Sequence, residues 1–131
     1  MKVSDALTAF NIAKRDAETL LLHSLGRTNR AWLLAHDTDD LAVEDLKQYS
    51  ALCRAREQGV PLAYVMGDRE FWALELAVTP DVLIPRPETE HLVEWAIERV
   101  EAIAAASLLD LGTGSGAIAL ACKAAKPKLQ V

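Results

Sequence analysis

The chain has 131 residues, with 14 basic and 19 acidic side chains and a net charge of −5. This length predicts one domain, or one small domain and part of another, and the composition excludes a disordered tail. Without an excess of basic residues, direct nucleic-acid binding is not expected. The uncharged runs are too short to span a bilayer, and Cys53 and Cys122 lie far apart with no CxxC, which fits a reducing cytoplasm and no membrane association.

Residues 1–66 predict a small helical unit, because their apolar residues recur at helical spacing. Ser4 is expected to cap the first turn and Thr28 a short helix that carries Trp32. Gly26 and Gly59 stand where a helix would end. The predicted helices are residues 4–10, 12–25, a short segment around 32–34, 43–58 and 61–66.

Beyond Gly67 the period of the apolar residues changes. Leu74, Leu76 and Val78 alternate with other residues as in a half-buried strand, and residues 70–72 are expected to pair with that strand as a hairpin. Residues 85–87 predict a rigid connector, because proline on both sides of an arginine restricts the backbone. A helix is then predicted over residues 87–106, with its acidic side chains on a solvated face.

The last part of the chain predicts a strand at residues 107–111, a glycine loop, a helix at 117–126 and the start of another strand. This order is typical of the first unit of a doubly wound parallel sheet. Glycines between a strand and a helix let the backbone approach a ligand closely, and the helix start offers free N–H groups.

The glycine loop has three interpretations. Gly112, Gly114 and Ala117 fit a dinucleotide loop, but Asp110 just before the loop would repel a pyrophosphate and suits a ligand with a positive amine, such as S-adenosylmethionine. The third interpretation is a turn that only packs helix on strand. No metal site is predicted, because Asp37, Asp39 and Asp40 lack the rest of a calcium loop and the histidines have no ligand spacing.

Five segments in a fixed order resemble the N-terminal part of the release factor glutamine methyltransferases, the PrmC/HemK family. They cover nearly the whole chain. They are Asp16-Ala17-Glu18 with Leu20-Leu21-Leu22, residues 59–64 (GVPLAY), Gly67 to Glu70-Phe71-Trp72, residues 84–90 (IPRPETE) and residues 109–116 (LDLGTGSG).

The resemblance implies a fold of three parts. Residues 1–66 would form an α-helical N-terminal domain that binds the release factor, residues 67–86 a β-hairpin connector, and residues 87–131 the start of a Rossmann-like α/β methyltransferase domain. S-adenosyl-L-methionine is the implied cofactor. Its implied binding residues are Asp110, Gly112, Thr113, Gly114, Ser115 and Gly116, with Arg86, Pro87, Glu88 and Thr89 lining the pocket.

The implied reaction is methyl transfer to the glutamine amide nitrogen of the Gly-Gly-Gln motif in class I peptide chain release factors. The family's Asn-Pro-Pro-Tyr motif, which positions that amide, does not occur here. We therefore expect no catalytic residue in these 131 residues, and interpret the chain as an inactive, truncated piece of a longer enzyme. The unpaired strand at its C-terminal end is then expected to promote self-association.

Three alternatives remain at this stage. The related ribosomal protein glutamine methyltransferases usually have Ile-Pro-Arg-Ser-Pro at the connector, so Pro87-Glu88 favours the release-factor branch. The helical domain could act alone as a docking module that needs no cofactor. A nicotinamide-dependent oxidoreductase is favoured only by the glycine spacing, and Asp110 counts against it.

Overall fold

The computed structural model describes all 131 residues, which form two compact units, Met1–Met66 and Gly67–Val131. The first unit holds α1 (Val3–Ala6), α2 (Lys14–Ser24), α3 (Ala31–Ala35), α4 (Val43–Glu57) and α5 (Leu62–Met66). The second holds β1 (Asp68–Phe71), β2 (Leu74–Ala77), a 3-10 turn (Pro87–Thr89), α6 (Glu90–Glu101) and α7 (Ala117–Ala125). None of the helices has the length and hydrophobicity that crossing a membrane requires.

The core of the first unit lies where α2 packs against α4 and α5. Its largest fully buried side chains include Leu20, Leu21 and Tyr49. The Tyr49 hydroxyl donates a hydrogen bond to the Ala6 carbonyl over 3.1 Å, and the Phe10 ring meets the Tyr49 ring edge-on. A buried hydroxyl without a partner would be costly, so this bond lets an aromatic ring fill the core and ties α4 to α1.

Two ion pairs explain why acidic residues stand at the start of α2. The Arg56 side chain on α4 donates to Asp16 over 2.7 Å, and Arg30 pairs with Glu18. Glu18 is buried, so its charge requires a partner of this kind. The segment 16–18 therefore joins α2 to α4 and to the residue that precedes α3.

The predicted ends of α2 and α4 are confirmed. The Gly26 N–H donates to the His23 carbonyl and the Arg27 N–H to the Leu22 carbonyl. The same pair of bonds closes α4 around Gly59, so both helices end in a Schellman motif.

Both predicted caps are wrong. Ser4 lies inside α1, where its N–H donates to the Asp37 carbonyl instead. The Asn29 side chain, not Thr28, accepts the Ala31 N–H at the start of α3, over 2.9 Å. In each case a neighbouring group satisfies the free N–H, which leaves the predicted hydroxyl without that role.

In the second unit, β1 and β2 form an antiparallel hairpin in which Phe71 pairs with Leu74. Phe71 and Leu76 are buried in a core that they share with α6, α7 and Leu129, including Val93, Ala117, Ala121 and Cys122. The predicted alternation is thus confirmed for β2, and α6 packs on α7.

The hairpin turn differs from the prediction. Trp72 was expected in the first strand, but it forms the turn with Ala73, and both residues have a left-handed backbone, with φ of 52° and 57°. Two-residue hairpin turns favour this conformation because it matches the twist of the strands. Left-handed residues other than glycine cost roughly 1–3 kcal/mol each. Neither residue is a usual turn former, so the sequence carried no signal for a turn here.

The helix predicted over residues 87–106 is shorter. It begins as a 3-10 turn, continues as α6 and ends at Glu101, and Ala105 has a left-handed backbone with φ of 55°. Just beyond this reversal, the Leu108 N–H donates to the Gln130 carbonyl over 2.8 Å. The chain leaves the helix early because residues 107–108 pair with the C-terminal segment.

Residues 107–111 do not form the predicted regular strand. Ser107 and Gln130 make a single parallel bridge, and the side chains of Leu109 and Leu111 are 82% and 83% exposed. A strand requires a ladder of backbone partners, and only one bridge is available to this segment. The apolar run of residues 107–111 is typical of a strand, but a strand forms only where a neighbouring strand supplies backbone partners, and the run itself does not show whether one is present.

Candidate functional site

The loop over residues 110–116 leads from the single bridge into α7. Gly112, Gly114 and Gly116 all have a left-handed backbone, with φ of 71°, 57° and 79°. The Gly116 N–H donates to the Thr113 carbonyl, and the Gly116 carbonyl accepts the first bond of α7, from the Leu120 N–H. The first turn of α7 thus opens directly beside the loop, with N–H groups that have no acceptor within the helix and carry partial positive charge.

Asp110 and Thr113 close the base of this loop. The Thr113 hydroxyl donates a hydrogen bond to Asp110 Oδ2 over 2.9 Å. Asp110 is half-buried, so this bond stabilises its carboxylate while the second oxygen keeps its capacity to accept. Thr113 orients the carboxylate that the sequence singled out.

A pocket of about 180 Å³ lies between this loop and the connector before α6. It has an apolar wall, three hydroxyl-bearing side chains, the glycine backbone and the start of α7. The residues around it are Leu83, Ile84, Pro85, Arg86, Thr89, Gly112, Thr113, Gly114, Ser115, Ala117 and Ile118. The structure therefore brings residues 83–89 and residues 112–118 together around one pocket.

The predicted residues divide into two groups. Those on the pocket are Arg86, Thr89, Gly112, Thr113, Gly114 and Ser115. The others do not line it: Asp110 is half-buried and bonded to Thr113, Gly116 directly precedes α7, and Pro87 and Glu88 are exposed on the 3-10 turn. Leu83 and Ile118 line the pocket without having been singled out, and no periodic signal marks an irregular segment such as 83–86.

The pocket fits one end of a small ligand. Its volume is below the roughly 300–1,000 Å³ of sites that enclose a whole small molecule. A negatively charged group suits it chemically, since the free N–H groups at the start of α7 favour an anion. A β-carbon built on Gly114 would come no closer than 4.0 Å, to the Gly112 carbonyl oxygen, so this glycine leaves open space at the pocket.

The acidic side chains predicted to form a solvated face over the 3-10 turn and α6 are exposed, with one exception. The exception is Glu90, which is half-buried and accepts the Trp72 N–H over 2.9 Å. The exposed Glu101 pairs with Lys126, the residue that directly follows α7. Glu88, Glu94, Glu98 and Glu101 are all exposed and fit the prediction, and Glu94 also contacts His91. Spacing along a helix could not reveal the partner of Glu90, because that partner lies in the hairpin.

The two cysteines are buried, and no group of three or more His, Cys, Asp or Glu side chains is arranged to hold a metal ion. Burial raises the pKa of the Cys122 thiol above its ordinary value of 9.0, and the Asp110 carboxylate adds to this rise. Burial also raises the pKa of Cys53.

We expect the folded protein to lose stability as the pH rises through about 9. Above this pH the unfolded thiols ionise while the folded thiols stay neutral, so the unfolded state is favoured. Urea midpoints measured from about pH 7 to 10 should fall less steeply for the Cys53→Ala/Cys122→Ala variant than for the wild type. Equal slopes would contradict the prediction.

The chain is similar to proteins of one known family. A family model described as the PrmC N-terminal domain matches residues 2–67. The chain is 47% identical over 120 residues to the release factor glutamine methyltransferase of Xylella fastidiosa strain Temecula1, covering 92% of this chain and 43% of that protein. It is 46% identical over 129 residues to the release factor glutamine methyltransferase of Bordetella pertussis, covering 98% of this chain and 47% of that protein. It is also 46% identical over 125 residues to the release factor glutamine methyltransferase of Escherichia coli strain K12, covering 95% of this chain and 44% of that protein.

The chain spans less than half the length of these relatives. The family model covers half of the chain, and the relatives match nearly all of it. The resemblance predicted from the five ordered motifs is confirmed: the chain belongs to the PrmC N-terminal domain family.

Proposed function

We propose that this chain is part of a methyltransferase that modifies the glutamine amide nitrogen in the Gly-Gly-Gln motif of class I peptide chain release factors. The observation that carries this proposal is the identity of 46–47% to proteins named release factor glutamine methyltransferase, over 92–98% of the chain. The pocket between the connector and the glycine loop supports it, because a cofactor has a place to bind.

The proposed cofactor is S-adenosyl-L-methionine, which supplies a methyl group on a positively charged sulfur. The backbone of residues 112–116 would hold its amino-acid end beside the start of α7. Asp110, held by Thr113, would favour the positive amine, and Arg86 and Thr89 would line the opposite wall. A pyrophosphate would be repelled by the same carboxylate, which argues against a nicotinamide dinucleotide.

We also propose that residues 87–131 begin a Rossmann-like domain, with residues 67–86 as its connector. The parallel sense of the bridge between Ser107 and Gln130 supports this, because a glycine loop and α7 lie between the two bridged residues. A helix between parallel segments is the crossover that such folds use. The enzyme would act in the cytoplasm, where release factors work.

Residues 1–66 are proposed to bind the release factor. They form a compact unit with its own core, which a docking domain requires. If this unit is only a docking module, residues 1–66 should retain a release factor in a pull-down that contains no cofactor, and the full-length protein should show no methyl transfer.

The amide nitrogen is a poor nucleophile, because its lone pair is delocalised into the carbonyl group. Positioning groups must therefore hold it in line with the methyl group, and these 131 residues contain no Asn-Pro-Pro-Tyr motif to do so. We propose that the 131-residue chain alone transfers no methyl group. The exposed Leu109 and Leu111 support the further proposal that it self-associates.

The test is transfer of a radiolabelled methyl group from S-adenosylmethionine by the protein at the full length of its relatives. A class I release factor should be labelled, and a release factor with Gln replaced by Ala in its Gly-Gly-Gln motif should not. A ribosomal protein offered in parallel tests the related branch. Labelling of the ribosomal protein alone, or of neither protein, would refute the proposed substrate.

The 131-residue chain serves as the matched control for this assay. It should give no labelling, and its sedimentation coefficient should rise with protein concentration. Turnover at the full-length rate would refute the proposal that the chain alone is inactive, and concentration-independent sedimentation as a monomer would refute self-association.

A further inference from the structure

The turn between β1 and β2 has a strained backbone, and neither of its residues is of a type that stabilises this conformation. Trp72 and Ala73 both adopt a left-handed backbone that asparagine and glycine accept far more readily. Such strain persists only where the surrounding structure holds it, and strained positions often lie next to functional sites. A group outside the turn must therefore hold it in this conformation.

Glu90 is that group. Its Oε1 accepts the Trp72 N–H over 2.9 Å, across 18 positions of sequence. The Trp72 ring is half-buried against the core around Phe71, so the turn is held by a bond on its backbone and by packing on its side chain. A carboxylate acceptor makes this bond stronger than one to a neutral group.

Glu90 also stands immediately after one wall of the pocket. Thr89 lines the pocket and its N–H donates to the Arg86 carbonyl over 3.0 Å, closing the 3-10 turn that leads into α6. Any movement at Glu90 is transmitted through one peptide unit to Thr89. The bond to Trp72 therefore ties the position of the pocket wall to the hairpin.

We propose that Glu90 is a positioning residue that fixes the Arg86–Thr89 wall of the pocket by holding the hairpin turn at Trp72. It does not touch the ligand. Only the identity of the ligand rests on the proposed function, because the bond and the wall are features of this chain.

The first experiment needs no cofactor. Amide hydrogen exchange of Trp72 and Thr89 is measured by NMR in the wild type, Glu90→Ala, Glu90→Gln and the control Glu94→Ala, which alters an exposed acid one turn further along α6. In Glu90→Ala both amides should exchange on the order of tenfold faster. Glu90→Gln keeps a carbonyl acceptor and should recover most of the protection, while Glu94→Ala should match the wild type.

A second substitution tests the strain directly. Ala73→Gly removes the left-handed penalty at one turn position, so the turn needs less help from Glu90. The loss of Thr89 protection caused by Glu90→Ala should therefore be smaller in the Ala73→Gly background. Unchanged Thr89 exchange in Glu90→Ala, or an equal loss in both backgrounds, would overturn the proposal.

Calorimetry with S-adenosylmethionine on the full-length protein then separates the two proposals. Glu90→Ala should bind about tenfold more weakly and Glu90→Gln nearly as the wild type. If the wild type does not bind, the proposed cofactor fails, while the exchange data still decide the role of Glu90. Equal loss in the Ala and Gln variants would assign the effect to the charge at the start of α6 and overturn the proposal.

Discussion

Replacing Leu21 with alanine is expected to lower the free energy of unfolding of the Met1–Met66 unit by about 2–5 kcal/mol. Leu21 is fully buried in the core where α2 packs against α4, so its removal loses apolar contacts and leaves a cavity. A unit of this size has little stability in reserve, so the loss should be severe. Urea denaturation of the 131-residue chain, followed by far-ultraviolet circular dichroism, measures it.

Leu34→Ala is the matched control, because Leu34 is 82% exposed on α3. Its urea midpoint should stay close to that of the wild type, since little apolar surface is lost. If Leu21→Ala also leaves the midpoint unchanged, Leu21 does not belong to the core.

Replacing Gly114 with valine is expected to abolish S-adenosylmethionine binding in the full-length protein. A β-branched residue is poorly tolerated at a φ of 57°, and its side chain would enter the loop that lines the pocket. Space alone does not forbid a side chain, since a β-carbon would have no contact closer than 4.0 Å. Calorimetry measures affinity, and circular dichroism checks that the helices remain folded.

Gly26→Val is the control for backbone strain. Gly26 has a similar φ of 61°, also has open space around it, and lies in the other unit. It should destabilise its own unit and leave cofactor affinity unchanged. Retained affinity in Gly114→Val together with a normal melting curve would mean that the glycine loop has only a structural role.

Part of the candidate site could be predicted from local sequence. The glycines at 112–116 stand directly before an apolar helical segment, and the structure places their left-handed backbone at the start of α7. That Arg86 and Thr89 would share a pocket with this loop came from the family resemblance. No short-range pattern marks Leu83 or Ile118, because each joins the pocket only when the two segments fold together.

The hydrogen bond of Glu90 could not be predicted from local sequence either. Its place near the start of a helix is a sufficient local reason for an acidic residue, so its sequence context predicted a solvated side chain. Its partner is the backbone of Trp72, in a turn that no turn-forming residue announces. An interaction between a side chain and a distant backbone N–H leaves no trace in residue spacing.

The sequence by itself determined the features that depend on neighbouring residues. Gly26 and Gly59 end α2 and α4, Pro87 opens the turn into α6, and alternation marks β2, because backbone preference and apolar periodicity act over a few residues. The order of the five motifs was sufficient to predict the family, which the match to residues 2–67 confirms.

Only the tertiary structure decided where α6 ends, that Trp72 forms a turn, and that residues 107–111 make one bridge instead of a strand. Each of these depends on a hydrogen-bond partner far along the chain: the Gln130 carbonyl for residues 107–108 and the Glu90 carboxylate for Trp72. A backbone conformation that is unfavourable alone becomes stable when such a partner is supplied, and the partner is known only once the chain has folded.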